Sequence, residues 1–320
     1  MIYDFIETSY HFKDKDMINW ANMEQTGTSI PYQREYFSLK GCRGIDIVHF
    51  PTIRTLSIKG SPAYYWQGHN FNFSIPSFVD SINHIGDLLG VNLWTSLINS
   101  FEVGLIMQVP EKPVRYIKGH REGKGQTLYD NPKDKGHFRA FQDADIRRKL
   151  YDAKRNIKMK QGLKMQGIIQ EQGWNPDNNY IKWELHYNRP QILNNGRSPL
   201  LADIVSLDYQ NRFKESLYIE YQSLYKMKEI ELPTNKKFLS TPDIIAIGLN
   251  QIAMNQGNTL GDTKKNLYSL INEIPDSILS KPDKDARKRQ INAIFKRIED
   301  QPQQSKWDLT DLMEEGLLNK

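Results

Sequence analysis

The residues best suited to chemistry surround a tyrosine, Tyr151. Six basic side chains lie near it within residues 147–158: Arg147, Arg148, Lys149, Lys154, Arg155 and Lys158. A tyrosine hydroxyl has a pKa near ~10 and is a poor nucleophile at neutral pH, but nearby cations favour the phenolate and attract a phosphodiester. Alternating apolar and polar residues predict a short strand that places Tyr151 on the face of Arg147 and Lys149. The alternative is a solvated basic strand edge with a structural tyrosine.

Two other segments carry acids on the polar faces of predicted strands. In residues 101–109 the odd positions are apolar, Glu102 falls on the opposite face, and Gly104 is expected to leave open space beside it. In residues 180–187 the polar face holds Lys182, Glu184 and His186. An acid within such a strand is costly to bury unless it is paired or binds a metal.

These strands could together form a metal-assisted site for phosphoryl chemistry. Glu102, Glu184 and His186 are the predicted ligands, and carboxylates on neighbouring strands suit Mg²⁺ or Mn²⁺. Such an ion polarises a phosphate oxygen, so that Tyr151 could attack phosphorus while Lys154 or a neighbouring arginine neutralises the equatorial oxygens. The alternative for each acid is a salt bridge to a basic neighbour, such as Glu184 with Lys149.

Positive charge is concentrated around the tyrosine. Residues 112–164 contain 16 Lys/Arg and 6 Asp/Glu, a local charge of 16 − 6 = +10, whereas the whole chain has a net charge of +5. This distribution is typical of a protein that binds a polyanion, although a basic surface without a particular partner is the alternative. The residues predicted to contact DNA, two of them in the loop 60–70, are Arg139, Arg147, Arg148, Lys149, Arg155, Lys158, His69 and Asn70.

The order of patterns predicts an α+β protein with two regions. Residues 1–232 read as an antiparallel sheet covered by helices, and residues 233–320 as a helical domain. Residues 13–40 and the loop 60–70 are expected to be irregular. Residues 114–118 are expected to form a strand and 283–299 a basic helix that adds DNA contacts.

The order of four segments resembles the gene II replication proteins of filamentous phages, and the last three resemble the trans-acting plasmid Rep proteins. The segments are Leu56–Asn70, which ends in Gly-His-Asn, then Asn99–Glu102, Leu150–Lys154 and Lys182–Leu185. The resemblance covers about residues 2–230. It implies an antiparallel-sheet nicking domain of the Rep or degenerate HUH type, without the His-hydrophobic-His metal pair of other rolling-circle nucleases.

The resemblance implies a rolling-circle replication initiator that nicks one origin strand and remains attached through a 5′-phosphotyrosine. Carried over by position, Tyr151 is the nucleophile, Glu102 and Glu184 are metal ligands, and Lys154 is the supporting cation. The family lysine follows the tyrosine by two positions and Lys154 by three, so Arg155 or Arg148 are substitutes. Implied partners are double-stranded origin DNA with a single-stranded or hairpin nick site, a host helicase and polymerase, and a second copy in a homodimer.

Other readings use the same residues. A non-catalytic DNA-binding regulator of replication or transcription needs the basic patch but gains nothing from carboxylates beside phosphate, whereas a mobilisation relaxase or transposase shares the chemistry. The single cysteine, Cys42, excludes an intrachain disulfide and fits a reducing cytoplasm. We expect no membrane span, because no uncharged apolar run reaches about 18 residues.

Overall fold

The computed structural model describes residues 1–14, 16–161, 167, 170, 174–227, 229–230, 240–256, 258–299, 303–304 and 306–318. Its main feature is a ten-stranded sheet in which every described pairing is antiparallel, with helices attached. The predicted α+β class with an antiparallel sheet is confirmed at this level.

The strands are β1 (Ile2–His11), β2 (Met23–Ser29), β3 (Arg34–Leu39), β4 (Ile45–Phe50), β5 (Thr55–Gly60), β6 (Leu97–Val109), β7 (His120–Arg121), β8 (Thr127–Tyr129), β9 (Phe138–Gln142), β10 (Ile146–Asp152), β11 (Asn179–Tyr187), β12 (Tyr225–Lys226), β13 (Glu229–Ile230) and β14 (Gln303–Gln304). The sheet order is β2-β3-β4-β5-β1-β6-β11-β10-β9-β8, while β7 pairs with β12 and β13 with β14.

The helices are α1 (Pro62–Gln67), α2 (Ile75–Leu89), α3 (Pro113–Lys118), α4 (Ala153–Gln161), α5 (Leu207–Gln222), α6 (Thr241–Gln256), α7 (Leu260–Glu273), α8 (Lys281–Glu299) and α9 (Thr310–Leu318). Helix α2 begins at Ser74, whose hydroxyl accepts from the Ser77 amide, and ends at Gly90 in the left-handed conformation. Both are standard helix-end signals.

One face of the sheet forms the main core. Tyr3 of β1 packs edge-on against Phe78 of α2 and Phe101 of β6, with ring centroids 5.0 and 5.2 Å apart. Trp183 of β11 is fully buried, and its indole donates to the Leu217 carbonyl of α5 at 3.0 Å. Burial of these large rings fixes the orientation of each central strand, because side chains alternate between the two faces.

Three local predictions were wrong. Residues 13–40 include the hairpin β2–β3, and the loop 60–70 contains α1, which Ser61 caps by accepting from the Tyr64 amide. Residues 114–118 belong to helix α3, where Pro113 suits a first helical turn. Helix α4 begins at Ala153, and residues 162–166, 168–169 and 171–173 beyond it lie outside the described part of the chain.

The chain divides into two compact units. The first comprises 1–113, 124–223 and 310–320, and the second comprises 114–123 and 224–309. The second contains α6, α7 and α8, with a small core of Ala246 and Ile247 packed against Leu260 and Ile294. The predicted domain boundary at 232/233 lies within residues 231–239, outside the described part of the chain.

Candidate functional site

The register of the four central strands collects polar residues on the face opposite the main core. Tyr151 lies across from Lys182, and Lys149 lies across from Glu184. On the other side of β11, Glu184 pairs with Gly104, and His186 pairs with Glu102. Directly opposed residues in an antiparallel pair point to the same face, so the predicted acids and tyrosine are brought together.

A fourth strand adds an acid that the sequence reading missed. The pairing of β1 with β6 passes from Tyr3–Val103 to Phe5–Glu102, which leaves Asp4 as an extra residue in a β-bulge. Bulges re-aim side chains and are common next to functional sites. Asp4 is buried here and reaches the same polar cluster.

Asp4, Glu102 and Glu184 form a buried acidic group. One oxygen of each carboxylate lies within 4.8 Å of the others. The three residues are 8%, 9% and 2% exposed. We call them the acid group; three unpaired carboxylates at such distances would repel one another strongly in a low-dielectric interior.

Two lysines offset this charge. Lys182 is fully buried, and its ammonium pairs with Asp4 and lies 2.5 Å from Glu184. Lys149 pairs with Glu102 and lies 3.5 Å from Glu184, and its side chain is partly open to the adjoining cavity. The predicted alternative, a salt bridge between Glu184 and Lys149, is therefore present.

Gly104 accommodates the Lys182 side chain. A Cβ at Gly104 would lie 2.8 Å from the Trp183 carbonyl oxygen and 3.1 Å from Cε of Lys182. The expectation of open space beside Glu102 was wrong, because the aliphatic part of the Lys182 side chain fills the space that a side chain at Gly104 would occupy.

His186 holds Glu102 in place. Its Nδ1 lies 2.6 Å from Oε1 of Glu102, and its Nε2 lies 3.0 Å from the Ser100 hydroxyl. Both ring nitrogens are thus occupied. His186 was predicted to be a metal ligand. In the structure it contacts Glu102 and is not one of the three residues whose oxygens converge, which is the position of a residue that orients a metal ligand.

The carboxylates differ in their protonation. Burial and the neighbouring carboxylates of Glu102 and Asp4 raise the pKa of Glu184 to about 7, against the opposing effect of Lys182 and Lys149. Burial also works to raise the pKa of Asp4, but Lys182 and the hydrogen bonds of Asp4 outweigh it and lower that pKa. The acid group therefore takes up a proton near neutral pH, since close carboxylates cannot all ionise easily.

Tyr151 borders the acid group and is a neutral phenol in this arrangement. Burial and the charge of Glu184 raise its pKa well above 10, and Lys182, whose ammonium lies 5.9 Å from the ring centroid, opposes this only in part. The expectation that surrounding cations favour the phenolate fails here, because burial dominates and the lysines nearest the acid group, Lys182 and Lys149, are already paired with carboxylates.

A cavity of about 540 Å³ opens beside these residues. The acid group and Tyr151 line it, together with a rim of basic and polar side chains that includes Lys133, His137, Arg147 and Arg155. Of its lining residues four are Lys/Arg and five are Asp/Glu. His137 is held by Asp152, with Nδ1 3.0 Å from Oδ2.

Several residues predicted to contact DNA lie elsewhere. Arg139 is 1% exposed and bound to Asp130, whereas Arg148 is 4% exposed and bound to Asp143 and Glu220. Both alternate onto the core face of the sheet, where each guanidinium is paired with carboxylates. Neither guanidinium is placed at the surface to meet a phosphate.

The other basic candidates divide between two cavities. Arg147, Lys149 and Arg155 line the cavity beside Tyr151, and the Arg147 guanidinium lies over the Tyr129 ring at 5.4 Å. Lys154 and Lys158 of α4 instead line a second cavity with aromatic walls. The structure therefore places Lys182 and Lys149, rather than Lys154, next to the acid group.

Of the two loop residues predicted to contact DNA, Asn70 supports the acid group, whereas His69 is buried within the loop. Asn70 donates to Asp4 Oδ2 at 2.9 Å, and Ser61 donates to Asp4 Oδ1 at 3.1 Å. His69 is fully buried, which lowers its pKa, and its Nδ1 lies 3.2 Å from the Gln67 amide nitrogen. Neither side chain is exposed for DNA contact.

The acid group fits a small divalent cation. Its donors are carboxylate oxygens only, which Mg²⁺ and Mn²⁺ prefer, and they come from three strands that hold them together. With both lysines counted, the group carries one net negative charge when all three carboxylates are ionised, and about none once it has taken up its proton. Asp4, Glu102 and Glu184 are thus the residues that would hold the ion.

Sequence reasoning missed Asp4 and the role of Lys182. Asp4 lies between apolar residues in Ile2–Ile6, the same signal that singled out Glu102. The bulge that aims it depends on pairing with β6, so the sequence alone did not connect the two acids.

No protein-family model and no curated protein matches this sequence. Among solved structures, a rolling circle replication initiator protein from Geobacillus stearothermophilus is similar, with a TM-score of 0.40 and 12% identity over 81% of this chain and 97% of that chain. Because this similarity is weak, we infer the function from the site instead. Among the described residues, no helix is long and apolar enough to cross a membrane.

Proposed function

We propose that this chain is a rolling-circle replication initiator of the Rep or degenerate HUH type that nicks and rejoins one strand of an origin. The observation that carries the proposal is the position of Tyr151 in one cavity with three buried carboxylates whose oxygens lie within 4.8 Å. A nucleophile beside an acid group that could hold a metal ion is an arrangement suited to phosphoryl transfer.

The proposed step exchanges one phosphodiester for another. The Tyr151 oxygen forms a bond to phosphorus, and the bond from phosphorus to the 3′ oxygen breaks. The proton lost by the phenol balances the proton gained by the leaving 3′ oxygen. The products are a 5′-phosphotyrosine and a free 3′-hydroxyl, and the reverse reaction rejoins the ends without ATP.

The chain's own residues position and balance this reaction. A divalent ion held by the acid group would polarise a phosphate oxygen and favour the tyrosine oxygen as nucleophile. Lys182, locked between Asp4 and Glu184, holds the group together. Lys149 is partly open to the cavity and lies closer to the acid group than Lys154 does. We therefore assign to Lys149 the role of the cation that neutralises the phosphate.

The wall of the cavity supplies DNA contacts. Arg147, Arg155 and Lys133 are basic side chains on this wall, and Tyr129 and Phe138 offer rings. Cations combined with aromatic side chains suit a single strand near the nick site. The partner is then origin DNA, and because the sequence has no P-loop, strand separation calls for a host helicase ahead of a polymerase.

The remaining parts of the proposal follow from the sequence. Residues 1–232 form the catalytic domain, and residues 233–320 serve origin binding, dimerisation or helicase docking. The basic residues of α8 and a second copy of the chain would then complete origin recognition in the host cytoplasm.

The test is covalent capture. The protein is incubated with supercoiled DNA carrying its own replicon's origin and with Mn²⁺ or Mg²⁺, and the products are separated on a denaturing gel. We expect a nicked strand with protein on its 5′ end that disappears in EDTA and in Tyr151→Phe. Tyr32→Phe, which changes an exposed tyrosine outside the cavity, is the matched control and should retain the adduct.

One observation favours a second candidate, a non-catalytic DNA-binding regulator. Lys149 and Lys182 already pair with the acid group, so these carboxylates could serve stability alone. Salt-sensitive DNA binding without a covalent product under any divalent ion would support the regulator. An adduct on a DNA lacking the replication origin but carrying a transfer origin would instead support a relaxase or transposase with the same chemistry.

A further inference from the structure

A cluster of three aromatic rings includes Tyr180 of β11, which lies two same-face positions along the strand from Glu184 of the acid group. Phe71, Trp174 and Tyr180 line a small cavity, with ring centroids 4.0 Å apart for Phe71–Trp174 and 4.7 Å for Trp174–Tyr180. Phe71 and Tyr180 are buried, and Trp174 is partly exposed. The two buried rings therefore form a rigid support beneath the partly exposed indole of Trp174.

The cluster faces the same side of the sheet as the site. Tyr180, Lys182 and Glu184 alternate onto one face of β11, so consecutive members are about 7 Å apart along the strand. A second connection runs through the loop after α1, where Phe71 directly follows Asn70, whose side chain donates to Asp4. The aromatic cavity is thus adjacent to the acid group through two separate elements.

The rim of this cavity is basic. Lys154 and Lys158 line it from α4, the helix that directly follows Tyr151 in the chain. Aromatic rings with two cations beside them match a nucleotide, whose base stacks and whose phosphate is anionic. An apolar peptide would not call for the two cations.

We propose that Phe71, Trp174 and Tyr180 bind one base of the single strand beside the scissile phosphate, while Lys154 and Lys158 bind its backbone. The proposal rests on the proposed function, because it assigns the substrate's neighbouring nucleotide. The cavity measures about 40 Å³, so it receives the edge of a base that lies against Trp174 rather than a whole ring.

The test compares two labelled strands of equal length and charge, oligo(dT) of 15 nucleotides and a fully abasic strand of 15 units. Fluorescence anisotropy with the full-length Tyr151→Phe chain measures binding without cleavage. We expect oligo(dT) to bind at least about fivefold tighter than the abasic strand, since stacking on an aromatic side chain contributes that much or more per base.

Variants separate the stacking from the charge. Trp174→Ala should reduce the preference for bases, and Trp174→Phe should keep more of it than Trp174→Ala. Lys154→Ala should weaken both strands equally and reduce the salt dependence of binding. If Trp174→Ala is folded by circular dichroism and keeps the full preference, the base site is refuted.

A second measurement uses protein that retains Trp174, so that a folding defect of the Trp174→Ala variant cannot affect the result. Photocrosslinking with 5-iodouracil strands followed by peptide mapping should label Trp174, and labelling confined to Tyr129 or Phe138 would overturn the proposal. The two proposals fail separately. A covalent adduct with no role for Trp174 keeps the nicking function, whereas base-dependent binding with no adduct keeps the base site alone.

Discussion

Replacing the buried lysine at the centre of the site provides a quantitative test of the charge arrangement. Lys182→Met keeps an unbranched side chain of similar length over Gly104 but removes the ammonium that pairs with Asp4 and Glu184. Lys182 is fully buried, so its loss leaves uncompensated buried carboxylates. Breaking such a pair costs about 3–5 kcal/mol, equivalent to a fall of roughly 6–20 °C in Tm for a unit of this size.

The loss should depend on pH. Without Lys182 the carboxylates of Asp4 and Glu184 gain stability by binding protons, so their pKa values rise in the folded variant. Groups with raised pKa values stabilise at low pH and lose that contribution as pH rises. The difference between wild type and Lys182→Met should therefore be larger at pH 8 than at pH 5.

The assay is urea unfolding followed by circular dichroism at both pH values. Lys158→Met is the matched control, because it makes the same change at an exposed lysine, and should alter the free energy of unfolding by less than about 0.5 kcal/mol. A loss below about 1 kcal/mol that is equal at both pH values would refute the view that Lys182 neutralises the acid group.

Three further predictions address neighbouring residues. Gly104→Ala should lower Tm and weaken Mn²⁺ binding in calorimetry, because the added Cβ meets the Trp183 carbonyl at 2.8 Å and displaces Lys182; unchanged binding would contradict this packing. Glu184→Gln should flatten the dependence of unfolding free energy on pH between about 4.5 and 7. A folded pKa raised to about 7 gives wild type up to about 3 kcal/mol at low pH that is lost as pH rises, so an unchanged slope would argue against the shift. Arg148→Met should destabilise by about 3 kcal/mol in urea unfolding without weakening oligonucleotide binding, and a loss of binding by the folded variant would mean that the guanidinium reaches DNA.

The central strands were predictable because their sequence pattern is local. In β6 and β11 apolar residues alternate with Glu102, Glu184 and His186, and burial of the apolar face requires the acids to point the other way. Tyr151 follows the same rule in β10. The antiparallel sheet and most of the helices could therefore be predicted from periodicity and helix-end residues.

The hairpin β2–β3 could not be predicted in this way. Its strands are mostly exposed or half-buried, so the alternation that marks a buried face is weak. Partner strands, rather than their own apolar residues, hold such segments in a sheet.

What the sequence by itself determined is the set of groups that could react: Tyr151, two strand-borne acids and an excess of basic charge. What only the tertiary structure decided is which of these groups pair with one another and which are buried. Register placed Lys149 opposite Glu184, the shared face brought Lys182 to the acids, a bulge brought in Asp4, and alternation turned Arg139 and Arg148 into the core. The physical reason is that charges interact with the residues that the sheet brings close in space, and such residues lie up to 178 positions apart along the chain.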